Sequence, residues 1–146
     1  MTTPPLIFVL NGPNLNLLGS REPEIYGSDT LDDIAGRMVA RADELGVELD
    51  IRQSNHEGHL IDWLHEAGAK NAKAVIFNPG GFSHTSVALH DAVKAIATPV
   101  IEVHLSDPET RESFRHTDLV AMAASRVIKG LGAQGYLTAL DEAARL

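Results

Sequence analysis

Leu6-Ile7-Phe8-Val9-Leu10 opens directly into Asn11-Gly12-Pro13-Asn14-Leu15-Asn16-Leu17-Leu18-Gly19, with Arg21 and Tyr26 close behind. Five apolar residues in a row read as a short buried strand, and the Asn, Gly and Pro that follow cannot extend it. Open α/β sheets place ligands where a buried strand breaks into a loop of this kind. The loop carries amides, a guanidinium and a phenol, a set suited to moving a proton beside a carbonyl.

Outward from this stretch the chain alternates between two periodicities. Residues 30–46 predict a helix, with Leu31, Ile34, Met38, Ala42 and Leu45 on one face and Gly46 ending it. Residues 47–53 predict a second strand, 58–70 a helix, 74–77 a third strand and 85–97 a helix. A fourth strand is expected over 99–103, then a short helix over 108–114 that starts with proline. A short fifth strand over 125–129 and a helix over 134–145 complete the pattern. Strands alternating with helices imply a parallel sheet with right-handed crossovers. The fold class expected is α/β: a flavodoxin-like, doubly wound, five-stranded parallel sheet with helices on both faces. The polar loops 11–27, 54–57, 78–84 and 104–107 then all fall at strand carboxyl ends, where such folds bind ligands.

Composition narrows the function. The 146 residues predict one domain with a real core, and 44% apolar with 22% charged residues is ordinary for a globular protein. No apolar run approaches the roughly 20 residues of a membrane helix, and the first residues carry no secretion signal. Cysteine is absent, which removes disulfides and thiolate chemistry and fits a cytoplasmic protein. A net charge of −8 argues against nucleic acid or an anionic membrane as partner. Arginines focused in a cleft can still draw a small anionic substrate.

Three motifs bear on chemistry. Residues 78–86, Asn-Pro-Gly-Gly-Phe-Ser-His-Thr-Ser, join a strand to a helix. They read either as a tight turn capped by Ser83, Thr85 or Ser86, or as an anion cradle of backbone N–H groups. No Gly-Lys-Ser/Thr follows, so this is not a nucleotide triphosphate loop. Glu102 and His104 stand two apart at the end of the fourth strand and share a face. A carboxylate there raises an imidazole's pKa and sets its tautomer, as a general acid needs, although a structural histidine at a sheet edge has the same spacing. Tyr26 is a packing residue or a base. A phenol working as a base near neutral pH must drop by roughly 3 units from about 10, close to 4 kcal/mol. One cation supplies about 1–3 units, so two of Arg21, Arg111 and Arg115 are needed.

Other chemistries are poorly served. The lysines are Lys70, Lys73, Lys94 and Lys129, and only Lys129 nears a predicted strand end, which leaves a Schiff base without a nucleophile. No clustered ligand pattern for a metal sits in these loops, and His56 with His59 reads as the start of a helix.

Taken in order, these motifs resemble a known family: Asn11–Gly19, Arg21-Glu-Pro with Tyr26-Gly27, Gln53-Ser-Asn-His-Glu-Gly58, 78–89, Glu102-Val-His104, Arg111-Glu-Ser-Phe-Arg115 and Gly132-Ala-Gln-Gly-Tyr136. Together they resemble type II 3-dehydroquinate dehydratase across nearly the whole chain. The resemblance implies dehydration of 3-dehydroquinate to 3-dehydroshikimate through an enolate, without metal or organic cofactor, in the shikimate pathway or in quinate catabolism. It also implies trimers assembled into a dodecamer. By position, Tyr26 would remove the C2 proton, with Arg21 on a lid and Arg111 holding the phenolate. Asn14 would stabilise the enolate through a water. His104, oriented by Glu102, would protonate the leaving hydroxyl. Asn78, Leu105 (through its backbone) and Ser106 would hold the substrate carboxylate. His84 and Arg115 would bind ring hydroxyls, and Asp91 would reach in from a neighbouring subunit. Asp107 departs from the asparagine common in that family. It is expected to cap the following turn and to weaken binding by adding charge. His90 falls at a variable position.

Readings from other classes stay open. A flavodoxin-like binding protein could hold a flavin or a phosphorylated metabolite in the same crevice, although the single Trp and two Tyr leave little to sandwich a flavin. A receiver-type signalling domain fits less well, because the first strand ends in Asn11-Gly12 rather than an acidic pair. A scaffold that kept the fold without catalysis is a third.

Overall fold

The computed structural model describes residues 3–20 and 22–146. Five strands, β1 (Leu6–Asn11), β2 (Glu48–Gln53), β3 (Ala74–Asn78), β4 (Val100–His104) and β5 (Arg126–Lys129), form one sheet in the order β2-β1-β3-β4-β5. Every pairing is parallel, as the alternation implied. The chain winds outward from β1 to β2, then returns to place β3 on the other side of β1. The carboxyl ends of β1 and β3 therefore flank the switch point, where the loops diverge and leave a crevice.

The helices are α1 (Pro23–Tyr26), α2 (Leu31–Leu45), α3 (Glu57–Ala69), α4 (Val87–Ala95) and α5 (Gln134–Ala144). Two apolar cores lie on opposite faces of the sheet, because successive strand residues point to opposite sides. Ile7, Val9, Ala74, Ile76 and Val103 pack with α2 and α5, whereas Phe8, Leu10, Val75 and Phe77 pack with α3 and α4. α2 begins with a reciprocal cap: Thr30 accepts from the Asp33 backbone while the Asp33 side chain accepts from that of Thr30. Gly46, at φ 72°, ends it.

Two expectations need correction. The helix expected over 85–97 spans only Val87–Ala95, because Ser86 caps it by accepting from the Leu89 N–H, and a 3₁₀ turn over Gly80–His84 precedes it. The short helix expected over 108–114 is two 3₁₀ turns, Pro108–Thr110 and Ser113–Arg115, separated by extended backbone at Arg111. That break aims Arg111 at the crevice. α1 was not foreseen, and it turns Tyr26 back toward the same place. No helix among the described residues is long and apolar enough to cross a membrane.

Candidate active site

The crevice is a cleft of about 200 Å³ at the carboxyl end of the sheet. The loop after β1 contributes Pro13, Asn14 and Leu15, and α1 contributes Tyr26. Asn78, Gly80, Gly81 and His84 come from the end of β3 and its 3₁₀ turn. His104, Leu105, Ser106, Pro108, Arg111 and Arg115 come from the end of β4 and the turns beyond it. Sequence reasoning thus named most of the lining. Gly12 sets how the first two loops meet, because its N–H donates to the Asn78 carbonyl at 2.8 Å. A Cβ there would stand 2.6 Å from the Pro79 carbonyl oxygen.

Asn14 sits in the left-handed region, at φ 70°, and its N–H donates to the Asn55 side-chain oxygen at 2.9 Å. The side chain of Gln53 donates to the same oxygen and to the Gly12 carbonyl. Gln53 and Asn55, which had no role in the sequence reading, therefore pin the loop that presents Asn14.

Asn78 is held at both ends of its amide. Its Nδ2 donates to the Tyr136 hydroxyl at 2.9 Å, and its Oδ1 accepts from the Gly80 N–H at 3.1 Å. The Tyr136 hydroxyl in turn donates to Asn11 Oδ1 at 2.7 Å. Tyr136 is fully buried, and burial pushes its phenol well above the usual range, so it stays a neutral donor. Neither Asn11 nor Tyr136 was identified as a supporting residue. The signal was a polar end on a strand whose partner lies 125 residues away.

Arg111 lies with its guanidinium carbon 5.1 Å from the centroid of the Tyr26 ring and Nη1 3.4 Å from Ser106 Oγ. Arg115 is anchored by Glu112 at 2.8 Å, and this guanidinium holds the Glu112 carboxyl below its ordinary value. His84 Nδ1 donates to the Thr117 carbonyl at 2.7 Å, which fixes its ring over the cleft.

His104 has two acidic neighbours. Its Nε2 is 2.6 Å from Glu102 Oε2 and 3.2 Å from Asp118 Oδ2. Burial opposes the imidazolium, but hydrogen bonds to Asp118 and Glu102 outweigh it and raise His104 to about 9. Asp118 was missed. It lies in an irregular stretch with no periodicity to mark it. These three side chains form the one group among the described residues with metal-ligand atoms close together. Their N···O spacings are those of hydrogen bonds.

Two candidates lie off the cleft. Asp91 is exposed on α4 and lines no part of this chain's own cleft. Asp107 caps the Pro108 turn as expected, accepting from the Glu109 N–H, but it faces a neighbouring hollow, 3.7 Å from Lys129 Nζ. Arg21 lies outside the described residues.

Fold and site together define an α/β protein with its cleft at the switch point, lined by a phenol, imidazoles and guanidiniums. The sequence model described as "Dehydroquinase class II" matches residues 5–144. The 3-dehydroquinate dehydratase of Maricaulis maris is 58% identical over 98% of this chain and 96% of its own. The 3-dehydroquinate dehydratase 1 of Agrobacterium fabrum is 56% identical over 92% of each. The crystal structure of the type II dehydroquinase from Propionibacterium acnes superposes with a TM-score of 0.95 at 40% identity, covering all of both chains. The chain belongs to the class II dehydroquinase family.

Proposed function

We propose that this enzyme, a type II 3-dehydroquinate dehydratase, eliminates water from 3-dehydroquinate by an acid–base route that runs through an enolate. Tyr26 takes the C2 proton as phenolate. The Arg111 guanidinium against its ring favours that charge, and Arg21 supplies the second cation the base needs. Asn14, through a water, donates to the developing enolate oxygen, where electrostatic stabilisation is most effective. His104 then delivers a proton to the departing C1 hydroxyl, since hydroxide leaves poorly unaided. Asn78, Ser106 and the Leu105 backbone hold the substrate carboxylate, while His84 and Arg115 bind ring hydroxyls. Atoms balance without a cofactor: one C–H and one C–O bond break, a double bond forms, and water departs.

The observation that carries this reading is the pairing of Tyr26 with Arg111 across one small cleft from an acid-backed His104. In the assembly we propose, four trimers form a dodecamer, and the exposed Asp91 of one subunit enters a neighbour's cleft. We also place the enzyme in the cytoplasm, where the same step serves aromatic biosynthesis or quinate breakdown.

The test follows the ultraviolet absorbance of the conjugated product in EDTA. Wild type should turn over steadily. Tyr26→Phe should lose at least about a hundredfold in kcat with little change in substrate affinity, the scale of losing a general base. Wild-type turnover that stops in EDTA, or Tyr26→Phe turnover near wild type, would overturn the mechanism. Sedimentation of wild type reads the assembly directly.

A further inference from the structure

Glu102 and Asp118 both reach the same ring nitrogen of His104, and their nearest oxygens lie within 4.8 Å of one another. Two carboxylates this close, one of them fully buried, do not both ionise readily, which favours keeping one proton on the pair. Their surroundings differ sharply. The Glu102 side chain is 0% exposed, and its Oε1 accepts a hydrogen bond from no donor among the described residues. The Asp118 side chain is 19% exposed, and its Oδ1 accepts from the Ala121 N–H at 3.0 Å. A carboxylate with an orphaned buried oxygen costs far more than a protonated acid in the same place.

The strand parity and the loop contacts make this a built arrangement. Glu102 and His104 face the same side of β4, and the segment carrying Asp118 is tied down on both flanks. The Thr117 carbonyl accepts from His84, the Leu119 N–H donates to the Ser83 carbonyl at 2.7 Å, and the Leu119 carbonyl accepts from His90 Nδ1 at 2.6 Å. His90, to which the sequence assigned nothing, thus helps fix Asp118.

We infer that Asp118 is the ionised partner that holds His104 as an imidazolium, and that Glu102 stands protonated beside it as a neutral positioning group. Burial, reinforced by Asp118, pushes Glu102 up to about 8, whereas hydrogen bonds to His104 and Glu102 overcome burial and hold Asp118 near 2. Among the described residues, the other titratable groups facing the cleft are Arg111 from the extended link between the two 3₁₀ turns, Arg115 from the second turn, Tyr26 from α1 and His84 from the turn after β3. The guanidiniums oppose a proton on His104, so a fixed negative charge behind the ring is what keeps the acid loaded. The inference deepens the role proposed for His104 and rests on it.

The experiment compares Asp118→Asn, Glu102→Gln and His104→Gln in kcat, KM and pH profile. Infrared spectroscopy near neutral pH follows the carbonyl stretch of a protonated carboxyl. Asn keeps the contact to Ala121 and removes only charge, so Asp118→Asn should pull the alkaline limb of kcat down by about 1 unit or more, the effect of losing one close opposite charge. KM should stay within about threefold, because the acid acts in the chemical step. Glu102→Gln should move the limb less and should abolish the protonated-carboxyl band. Asp118→Asn leaving the limb in place, or Glu102→Gln moving it further, overturns the assignment, as does a band that survives Glu102→Gln. His104→Gln retaining wild-type kcat instead sinks the acid role itself, while the infrared result still reports where the charge lies.

Discussion

Replacing Tyr136 with Phe removes one oxygen from the interior and breaks two contacts at once, to Asn11 Oδ1 at 2.7 Å and from Asn78 Nδ2 at 2.9 Å. The ring is fully buried among core residues, so Phe keeps the packing and no water replaces the hydroxyl. Each lost hydrogen bond is worth about 1 kcal/mol net, and a buried group left unsatisfied costs about 1–3 kcal/mol. Asn11 keeps its donation to the Arg52 carbonyl and Asn78 its contact with Gly80, so the total should be about 2–4 kcal/mol. With an unfolding entropy of about 2.1 cal/mol/K per residue, a chain of this length loses roughly 3 °C per kcal/mol. The melting temperature should therefore fall by about 6–12 °C when measured at matched protein concentration, since assembly adds stability by mass action. Function should suffer in a particular way. Asn78 loses the partner that sets the plane of its amide, so KM should rise by about tenfold, the equivalent of 1.4 kcal/mol, with a smaller change in kcat. Thermal melts followed by circular dichroism and progress curves over a range of substrate read both effects. A melt within about 2 °C of wild type together with an unchanged KM would falsify the idea that this hydroxyl positions Asn78.

Gly12→Ala forces a methyl group 2.6 Å from the Pro79 carbonyl oxygen and 2.8 Å from its carbon, both backbone atoms that cannot rotate away. Overpacking of this kind costs about 1–3 kcal/mol, and kcat/KM should drop at least tenfold as the Asn14 and Asn78 loops part. A wild-type melt and rate would show that the loops yield freely. The pH dependence of stability has a definite sign: Glu102 holds its proton to about 8, whereas an ordinary glutamate gives it up near 4.5. The folded state therefore binds a proton that the unfolded state has lost, so this group's stabilising contribution fades as pH rises from about 4.5 to 8. His104, raised from 6.5 to about 9, adds stability that is full below the lower value and lost toward the higher. Glu102→Gln should flatten the decline of melting temperature between about pH 5 and 7, and parallel curves for the two proteins would contradict the assignment. Asp107→Asn should keep the turn cap and change KM by less than about threefold, because the carboxylate is partly exposed and already faces Lys129. A tenfold lower KM would mean that its charge reaches the substrate after all.

The sheet was legible because its signals are local and repeated. Leu6–Asn11 and Ala74–Asn78 are short apolar runs ending in asparagine, and parallel pairing follows once helices separate them. Most of the site was legible for a related reason, since loops at the same end of a parallel sheet must converge. The failures came where local pattern and tertiary demand part company. Residues 108–114 begin with proline and have helical composition, yet Arg111 is extended so that its guanidinium can meet Tyr26. Propensity carries no term for a contact made across the cleft. α1 is four residues long, too short for any periodicity to register.

Glu102 and His104 illustrate the limit more sharply. Their spacing correctly placed them together, and from spacing alone Glu102 is the natural counter-ion. Charge, however, is decided by what surrounds a carboxyl rather than by where it stands in the chain. Glu102 is fully buried with an oxygen that no donor among the described residues satisfies, while Asp118 reaches the same nitrogen from an irregular segment anchored by Ser83, His84 and His90. The residue beside the histidine in sequence therefore sets its orientation, and one fourteen positions away sets its charge. The two tasks separate because a fully buried group is a good wedge and a poor anion, whereas a partly solvated one with a backbone donor can carry charge cheaply.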